Sequence, residues 1–239
     1  MKVIGLTKQS RDTTDEQVSE FISSNNVTYP MAREEGDSMS KAYNVRGVPS
    51  AAVVKAGKVV WKNTELDINV IQGAGSSPIL HEDLLILTCD GIDVQYIAAL
   101  DKRTGKVRWK PARQHLERVT RAIGKMAYST PLAQTIDGVP QLVSSGADHV
   151  GAYDLRTGKE LWWMPYTGFS QVGRPSYGNG LFYVIGSVRQ DHFAIFAVRP
   201  GKGQLTDQQI VWKNSSGIGP VSYTHLRAHE TRHDLVCRL

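Results

Sequence analysis

Apolar residues occur in short runs through the middle of the chain, and turn-forming residues separate the runs. Residues 83–87, 140–143 and 181–185 are such runs, and each follows a segment that contains serine and proline. Short apolar runs bounded by turn residues are typical of β-strands. The 22 glycines and 10 prolines among 239 residues supply the turns. The pattern therefore predicts a mainly β region made of many short strands.

A longer pattern recurs in the same region. Residues 99–109 read ALDKRTGKVRW and residues 152–162 read AYDLRTGKELW. A degenerate third copy covers residues 196–201 and, after an insertion, 210–213, while residues 57–62 (GKVVWK) match the end of a fourth. The tryptophans at positions 61, 109, 162 and 212 are 48, 53 and 50 residues apart. One four-stranded blade per period fits this spacing, which predicts a β-propeller.

The repeated residues have structural roles in this interpretation. An aspartate at the start of the turn can accept backbone N–H groups, and a glycine four residues later can adopt positive φ. A tryptophan at the end of the repeat can bury its indole between neighbouring blades. The residues concerned are Asp101, Gly105, Trp109, Asp154, Gly158, Trp162 and Trp212. We predict no catalytic, cofactor-binding or metal-binding role for them.

This pattern resembles the PQQ-like (pyrroloquinoline-quinone-type) propeller repeat over residues 57–220. The repeat occurs in quinoprotein dehydrogenases and in the outer-membrane assembly factor lipoprotein. The quinoprotein enzymes carry a vicinal cysteine pair over the cofactor and a calcium site near it, but this chain has no Cys-Cys pair. The resemblance therefore implies the non-enzymatic branch, without a bound quinone. It also implies a periplasmic or cell-surface location for the parent protein, with a protein or another cell-envelope component as partner.

Residues 1–60 follow a different pattern, in which a strand, an amphipathic helix over residues 14–25 and a second strand predict a β-α-β order. The segments KVIGL, VTYP, AYNVRGVPS and GKVVW resemble the second half of a thioredoxin-like domain of the extracytoplasmic reductase type. The resemblance makes Pro49 the candidate cis-proline beside a redox dithiol. No C-x-x-C is present, so the chain as written is expected to be redox-inactive. The junction is either a natural fusion or an assembly chimera.

The C-terminal tail contains a zinc-protease pattern, H-E-x-x-H, at His229, Glu230 and His233. However, residues 221–231 (VSYTHLRAHET) and 234–239 (DLVCRL) resemble one reading frame of a transposase-type sequencing adapter on either side of a variable index. We therefore reject these three residues as metal ligands and exclude the tail from the fold. On this interpretation the biological sequence ends near Pro220 and is part of a longer protein.

The charge distribution and the cysteine positions argue against several classes of function. The net charge of +5 comes from interspersed acidic and basic residues, so nucleic acid is not expected as a partner. The basic stretch at residues 110–125 is interpreted as a solvated loop or blade insertion rather than a phosphate-contacting patch. Cys89 and Cys237 lie far apart and suggest neither a redox pair nor a metal site. The first residues do not resemble a signal peptide, and no membrane span is predicted.

Together these observations predict a mainly β chain, with a partial propeller of about three blades after a truncated α/β thioredoxin-like segment. The predicted boundaries are 1–60 for that segment, 61–220 for the blades and 221–239 for the tail. The expected function is a non-enzymatic scaffold or binding module. The alternatives are part of a thiol-disulfide oxidoreductase fused to a propeller, and part of a quinone-dependent dehydrogenase.

Overall fold

The structure is a computed structural model that describes residues 5–7, 16, 31–33, 51–55, 58–71, 75–168, 170–189 and 192–215. The chain divides into two compact units, residues 1–47 and residues 48–239. The cis-proline candidate Pro49 and the whole C-terminal tail, with His229, Glu230, His233 and Cys237, lie outside the described residues. The predicted boundary near residue 60 stays a prediction.

The first unit contains two short strands, β1 (Gly5–Thr7) and β2 (Met31–Arg33). They pair in parallel, with Gly5 opposite Met31 and Thr7 opposite Arg33. Parallel neighbours need a crossover connection between them, and the predicted β-α-β order of this unit stays a prediction. Of the predicted helix only Glu16 is described, and it is helical.

The second unit is built from a hairpin and three four-stranded antiparallel meanders. The hairpin consists of β3 (Ala51–Lys55) and β4 (Lys58–Asn63). Meander 1 consists of β5 (Ile79–His81), β6 (Leu84–Asp90), β7 (Gln95–Asp101) and β8 (Val107–Trp109). Meander 2 consists of β9 (Leu132–Ile136), β10 (Val139–Ser145), β11 (His149–Asp154) and β12 (Glu160–Pro165). Meander 3 consists of β13 (Ser176–Gly178), β14 (Leu181–Arg189), β15 (His192–Val198) and β17 (Ile210–Asn214), with β16 (Gly203–Gln204) inserted before its last strand. The prediction of a mainly β chain is confirmed.

Local sequence accounts for the tight turns of the meanders. The loops Asp137-Gly138 and Asn179-Gly180 have positive φ at both residues, 48° and 78° in the first and 52° and 76° in the second. Two-residue hairpin loops of this kind match the right-handed twist of the strands that they join, and they favour Asn-Gly and Asp-Gly. These turns place β9 beside β10 and β13 beside β14.

The repeated D-x-x-T-G turn joins the third and fourth strands of meanders 1 and 2. Asp101 Oδ1 accepts the backbone N–H groups of Arg103 and Thr104, at 3.0 Å each. Gly105 follows with a φ of 72°, a conformation that costs other residues free energy. Asp154 and Gly158 repeat this arrangement, with a φ of 73° at the glycine. The carboxylate thus closes the turn on its own backbone.

The hydrophobic core is divided among the contacts between successive sheets. One buried cluster joins Trp61 and the segment after the hairpin to one face of meander 1. A second joins the other face of meander 1 to meander 2, and a third joins meander 2 to meander 3. Each of the first two meanders therefore buries both of its faces, which is how repeat architectures share a core.

The insertion in meander 3 adds a pairing that the sequence did not predict. Strand β16 lies parallel to β12, with Gly203 opposite Trp162 and Gln204 opposite Trp163. The backbone N–H of Leu205 also donates to the carbonyl oxygen of Trp163 at 2.7 Å. The outer edge of meander 2 is consequently covered by a segment from meander 3, which removes an exposed strand edge.

Candidate functional site: the contacts between successive meanders

Two tryptophans bind the next meander in the same way. The indole N–H of Trp61, on β4, donates to the carbonyl oxygen of Lys102 at 3.0 Å. The indole N–H of Trp109, on β8, donates to the carbonyl oxygen of Leu155, also at 3.0 Å. Lys102 and Leu155 both directly follow the aspartate of a repeated turn. Both indoles are 8% exposed, so each bond is largely shielded from water.

The glycine of each repeated turn makes room for the indole of the preceding element. A Cβ atom on Gly158 would lie 2.8 Å from Cε3 of Trp109, and a Cβ atom on Gly105 would clash with the ring of Trp61. Asn63 adds a further bond, because its side-chain amide donates to the carbonyl oxygen of Gly105 at 2.8 Å. We call this arrangement of tryptophan, turn glycine and turn carbonyl the tryptophan dock.

The remaining two tryptophans of the repeat depart from the dock. Trp162 is fully buried beside Phe182, at 5.6 Å between ring centroids, but its indole N–H donates to Gln141 Oε1 at 2.9 Å within its own meander. Trp212 lies on β17 beside Tyr183, and 44% of its surface is exposed. Position 212 is therefore the one of the four whose indole is largely open to solvent.

The outer face of meander 3 is correspondingly open. Leu181, Tyr183, Ile185, Phe193 and Ile195 point to this face and are all half-buried. On the matching faces of meanders 1 and 2 the equivalent strand residues are almost all covered; Ile86, Ile97, Val143 and Val150 have no exposed surface. The difference arises because a following meander covers the first two faces.

A buried ion pair spans the contact between meanders 1 and 2. Arg113 lies in the connection after β8, where its backbone N–H donates to the carbonyl oxygen of Gln95. Its guanidinium contacts both carboxylate oxygens of Asp90, at 2.6 Å from Nε and 2.8 Å from Nη2. Nη2 also donates to Ser144 Oγ at 2.7 Å, and both charged side chains are 1% exposed. Arg113 thus joins the end of β6 to the end of β10.

Burial disfavours the ionised state of Asp90 and Arg113, whereas the hydrogen-bond geometry of the pair stabilises that state. Desolvation raises the pKa of the Asp90 carboxyl, while the Arg113 charge acts against that rise. Desolvation alone would lower the pKa of Arg113, but the Asp90 charge raises it overall. Two short charge-assisted bonds between planar groups favour the ionised pair. Removal of either partner would leave a buried charge uncompensated, which is strongly destabilising.

His149 lies next to this pair as a neutral hydrogen-bond donor. Burial, together with the nearby Arg113 charge, lowers the pKa of His149 to about 3. Its Nδ1 is 2.8 Å from the carbonyl oxygen of Ala147, an atom that can only accept, so Nδ1 carries the proton. The Nε2 atom is buried and has no hydrogen-bond partner among the described residues.

A second histidine, which is partly exposed, lies beside His149. His115 stacks on Trp163, with 3.6 Å between ring centroids and 9° between ring planes, and its Nε2 is 2.9 Å from Glu160 Oε1. The His115 ring also meets the edge of the His149 ring at 5.7 Å. His115 has a φ of 64°, which is uncommon for a residue other than glycine. The connection between β8 and β9 is therefore held against meander 2 by His115 as well as by Arg113.

The sequence did not indicate this cluster. Residues 110–125 were expected to be a solvated loop or a blade insertion, and solvation is the part that is wrong at Arg113, which is almost fully buried. The sequence likewise gave no sign that Asp90, His115, His149 and Glu160 would lie at one contact. A possible signal was the arginine close behind Trp109, but its partners lie 23 and 31 residues away.

The described residues offer little reactive chemistry. Among them, no group of three or more His, Cys, Asp or Glu side chains is placed to hold a metal ion. Burial raises the pKa of Cys89 to about 11, which keeps the thiol protonated at neutral pH. Within the same residues, no helix has the length and apolar character that a membrane crossing requires.

Comparison with known proteins gives similarity to solved structures alone. No family model matches the sequence, and no curated protein matches it. The chain is similar to BamB from Moraxella catarrhalis, with 17% identity and a TM-score of 0.37 over 67% of this chain and 56% of that one. It is similar to a europium-containing methanol dehydrogenase (21% identity, TM-score 0.44, 62% and 35% of the two chains). It is also similar to the quinohemoprotein alcohol dehydrogenase from Comamonas testosteroni (19% identity, TM-score 0.46, 62% and 22%). The match thus spans 56% or less of the length of each of these structures.

Proposed function

We propose that the meanders are blades of a β-propeller of the PQQ-like repeat family, and that this propeller is a non-enzymatic scaffold or binding module of the cell envelope. The repeated tryptophan dock carries the proposal. Trp61 and Trp109 bind the next turn with the same donor, the same acceptor position and the same distance. A contact that recurs at a fixed sequence period is what a propeller requires between consecutive blades.

The hairpin supports the same assignment. β4 ends in Trp61-Lys62-Asn63, and β17 ends in the identical tripeptide Trp212-Lys213-Asn214. Trp61 and Asn63 both bind the turn of meander 1. We therefore assign β3 and β4 to the outer strands of a blade that precedes meander 1. This gives the segment GKVVWK, which matched two families in the sequence, a propeller role.

The proposal predicts that another blade can cover the open face of meander 3. A second copy of residues 64–112, which follow Asn63 in the chain, would be inserted after Asn214. Trp212 should then dock on the copied turn, so that its exposed fraction falls from 44% toward the 8% of Trp61. Acrylamide quenching of tryptophan fluorescence measures that change. The contribution of Trp212 is the difference between the protein with the insert and the Trp212→Phe variant of that protein. Unchanged quenching would contradict the blade assignment.

The enzymatic alternative is tested separately. A quinone-dependent dehydrogenase should bind pyrroloquinoline quinone saturably in the presence of Ca²⁺, with a change in the absorption spectrum of the quinone. A scaffold should leave that spectrum unchanged at every protein concentration. Saturable binding would contradict the non-enzymatic assignment while leaving the propeller assignment intact.

A further inference from the structure

The three meanders can be compared position by position, because their strands pair in the same register. Leu85 opposite Leu100 in meander 1 corresponds to Leu142 opposite Tyr153 in meander 2 and to Phe182 opposite Val198 in meander 3. These residues all lie on the face that contacts the preceding sheet. The chain therefore contains three versions of one interface.

Meander 2 is the polar exception among the three. Ser144 stands where the others have Leu87 and Val184, and His149 stands where they have Tyr96 and Ala194. Ser144 and His149 have no exposed surface. Polar groups buried at a sheet contact are costly without a partner. Ser144 finds its partner in Arg113, which comes from the end of meander 1. His149 bonds instead to the carbonyl oxygen of Ala147, within its own meander.

We propose that the Asp90–Arg113 pair and the polar face of meander 2 form an order lock, which makes meander 2 pack against meander 1 and against no other blade. Repeats with similar faces can pack in the wrong order, and a buried polar contact can exclude the wrong partner at a cost in stability. The described residues on the outer face of meander 3 include Tyr183, Ile185 and Ile195, none of which offers a carboxylate to Arg113.

The unpartnered atoms of the lock indicate that it serves specificity more than stability. Arg113 Nη1 and His149 Nε2 are buried without a hydrogen-bond partner among the described residues. A contact selected for stability alone would have apolar residues here, as meander 3 has at Val184 and Ala194.

The test depends on the propeller assignment and uses the open face of meander 3 as the competitor. A copy of residues 112–165, which contains meander 2, would be inserted after Asn214 in the full chain. A second version of the insert would carry Arg113→Met, Ser144→Val and His149→Ala, which give it an apolar face. A control insert would carry Arg118→Met, Thr135→Val and Lys159→Ala, three exposed positions that also lose polar groups.

The order lock predicts that the apolar version alone buries Trp212, with about a fivefold fall in its exposed fraction, as between Trp212 and Trp61. The unchanged and control inserts should leave the quenching of Trp212 as it is. Burial of Trp212 by the unchanged insert would overturn the order lock, and so would failure of the apolar version. If the insert of residues 64–112 also failed, the blade assignment itself would be wrong, so the two failures can be told apart.

Discussion

Replacement of Trp109 by alanine tests the tryptophan dock directly. Trp109 is 8% exposed, its indole N–H donates to the carbonyl oxygen of Leu155, and its ring lies against Gly158. The substitution removes a large buried aromatic group and leaves the Leu155 carbonyl without its donor. We expect the meanders to separate more easily as a result.

The expected magnitude follows from burial. Truncation of a buried tryptophan to alanine costs about 3–5 kcal/mol of unfolding free energy. Trp109→Phe keeps most of the apolar ring but removes the donor, which costs about 1–3 kcal/mol when the acceptor stays buried. Trp212→Ala is the matched control, because 44% of that side chain is already exposed, and its cost should be about 2 kcal/mol or less.

Urea denaturation followed by far-UV circular dichroism measures these differences. With a denaturant slope of about 2 kcal/mol per molar, a loss of about 4 kcal/mol lowers the midpoint by about 2 M. Trp109→Phe should fall between the wild type and Trp109→Ala. Equal midpoints for Trp109→Ala and Trp212→Ala would refute the reasoning, because burial in the dock would then have no energetic effect.

Three further outcomes follow from the same contacts. Gly158→Ala should destabilise far more than Gly138→Ala in urea denaturation, because both glycines have positive φ but only a Cβ atom on Gly158 meets the Trp109 ring. Hydrogen bonds from Arg108 and the turn backbone lower the pKa of Asp101 to about 2, so this carboxylate stabilises the fold above its ordinary pKa near 4 and loses that effect as pH falls through 2. Asp101→Asn should therefore lower the urea midpoint at pH 7, and its difference from the wild type should shrink steadily as pH falls from 4 to 2. Cys89, tested with the other cysteine replaced by serine, should react with a thiol reagent at pH 8 only as fast as the protein unfolds.

Contrary results have distinct meanings. Equal effects of the two glycine variants would place the Trp109 ring away from the turn. A pH-independent difference between Asp101→Asn and the wild type would assign the role of Asp101 to something other than its charge. Fast labelling of Cys89 under native conditions would mean that the contact between the hairpin and meander 1 opens readily.

Local patterns were sufficient for most strands and turns of the meanders. The Asp137-Gly138 and Asn179-Gly180 loops need positive φ, and Asp101 closes its turn on N–H groups two and three residues away. Interactions this short leave a signal in a few consecutive residues. The spacing of the tryptophans added the size of the repeat, so the mainly β architecture could be predicted from sequence.

The interfaces depended on the tertiary structure. Arg113 looks like any other base in a basic loop until the fold brings it to Asp90 and Ser144, and β16 is a short polar segment until it reaches the edge of β12. The exposure of Trp212 likewise distinguishes it from Trp61, although both begin the same tripeptide. Sequence determined the turns and the repeat because local hydrogen bonds and periodic burial act within one unit. Only the structure determined which units meet, because that depends on contacts between distant residues.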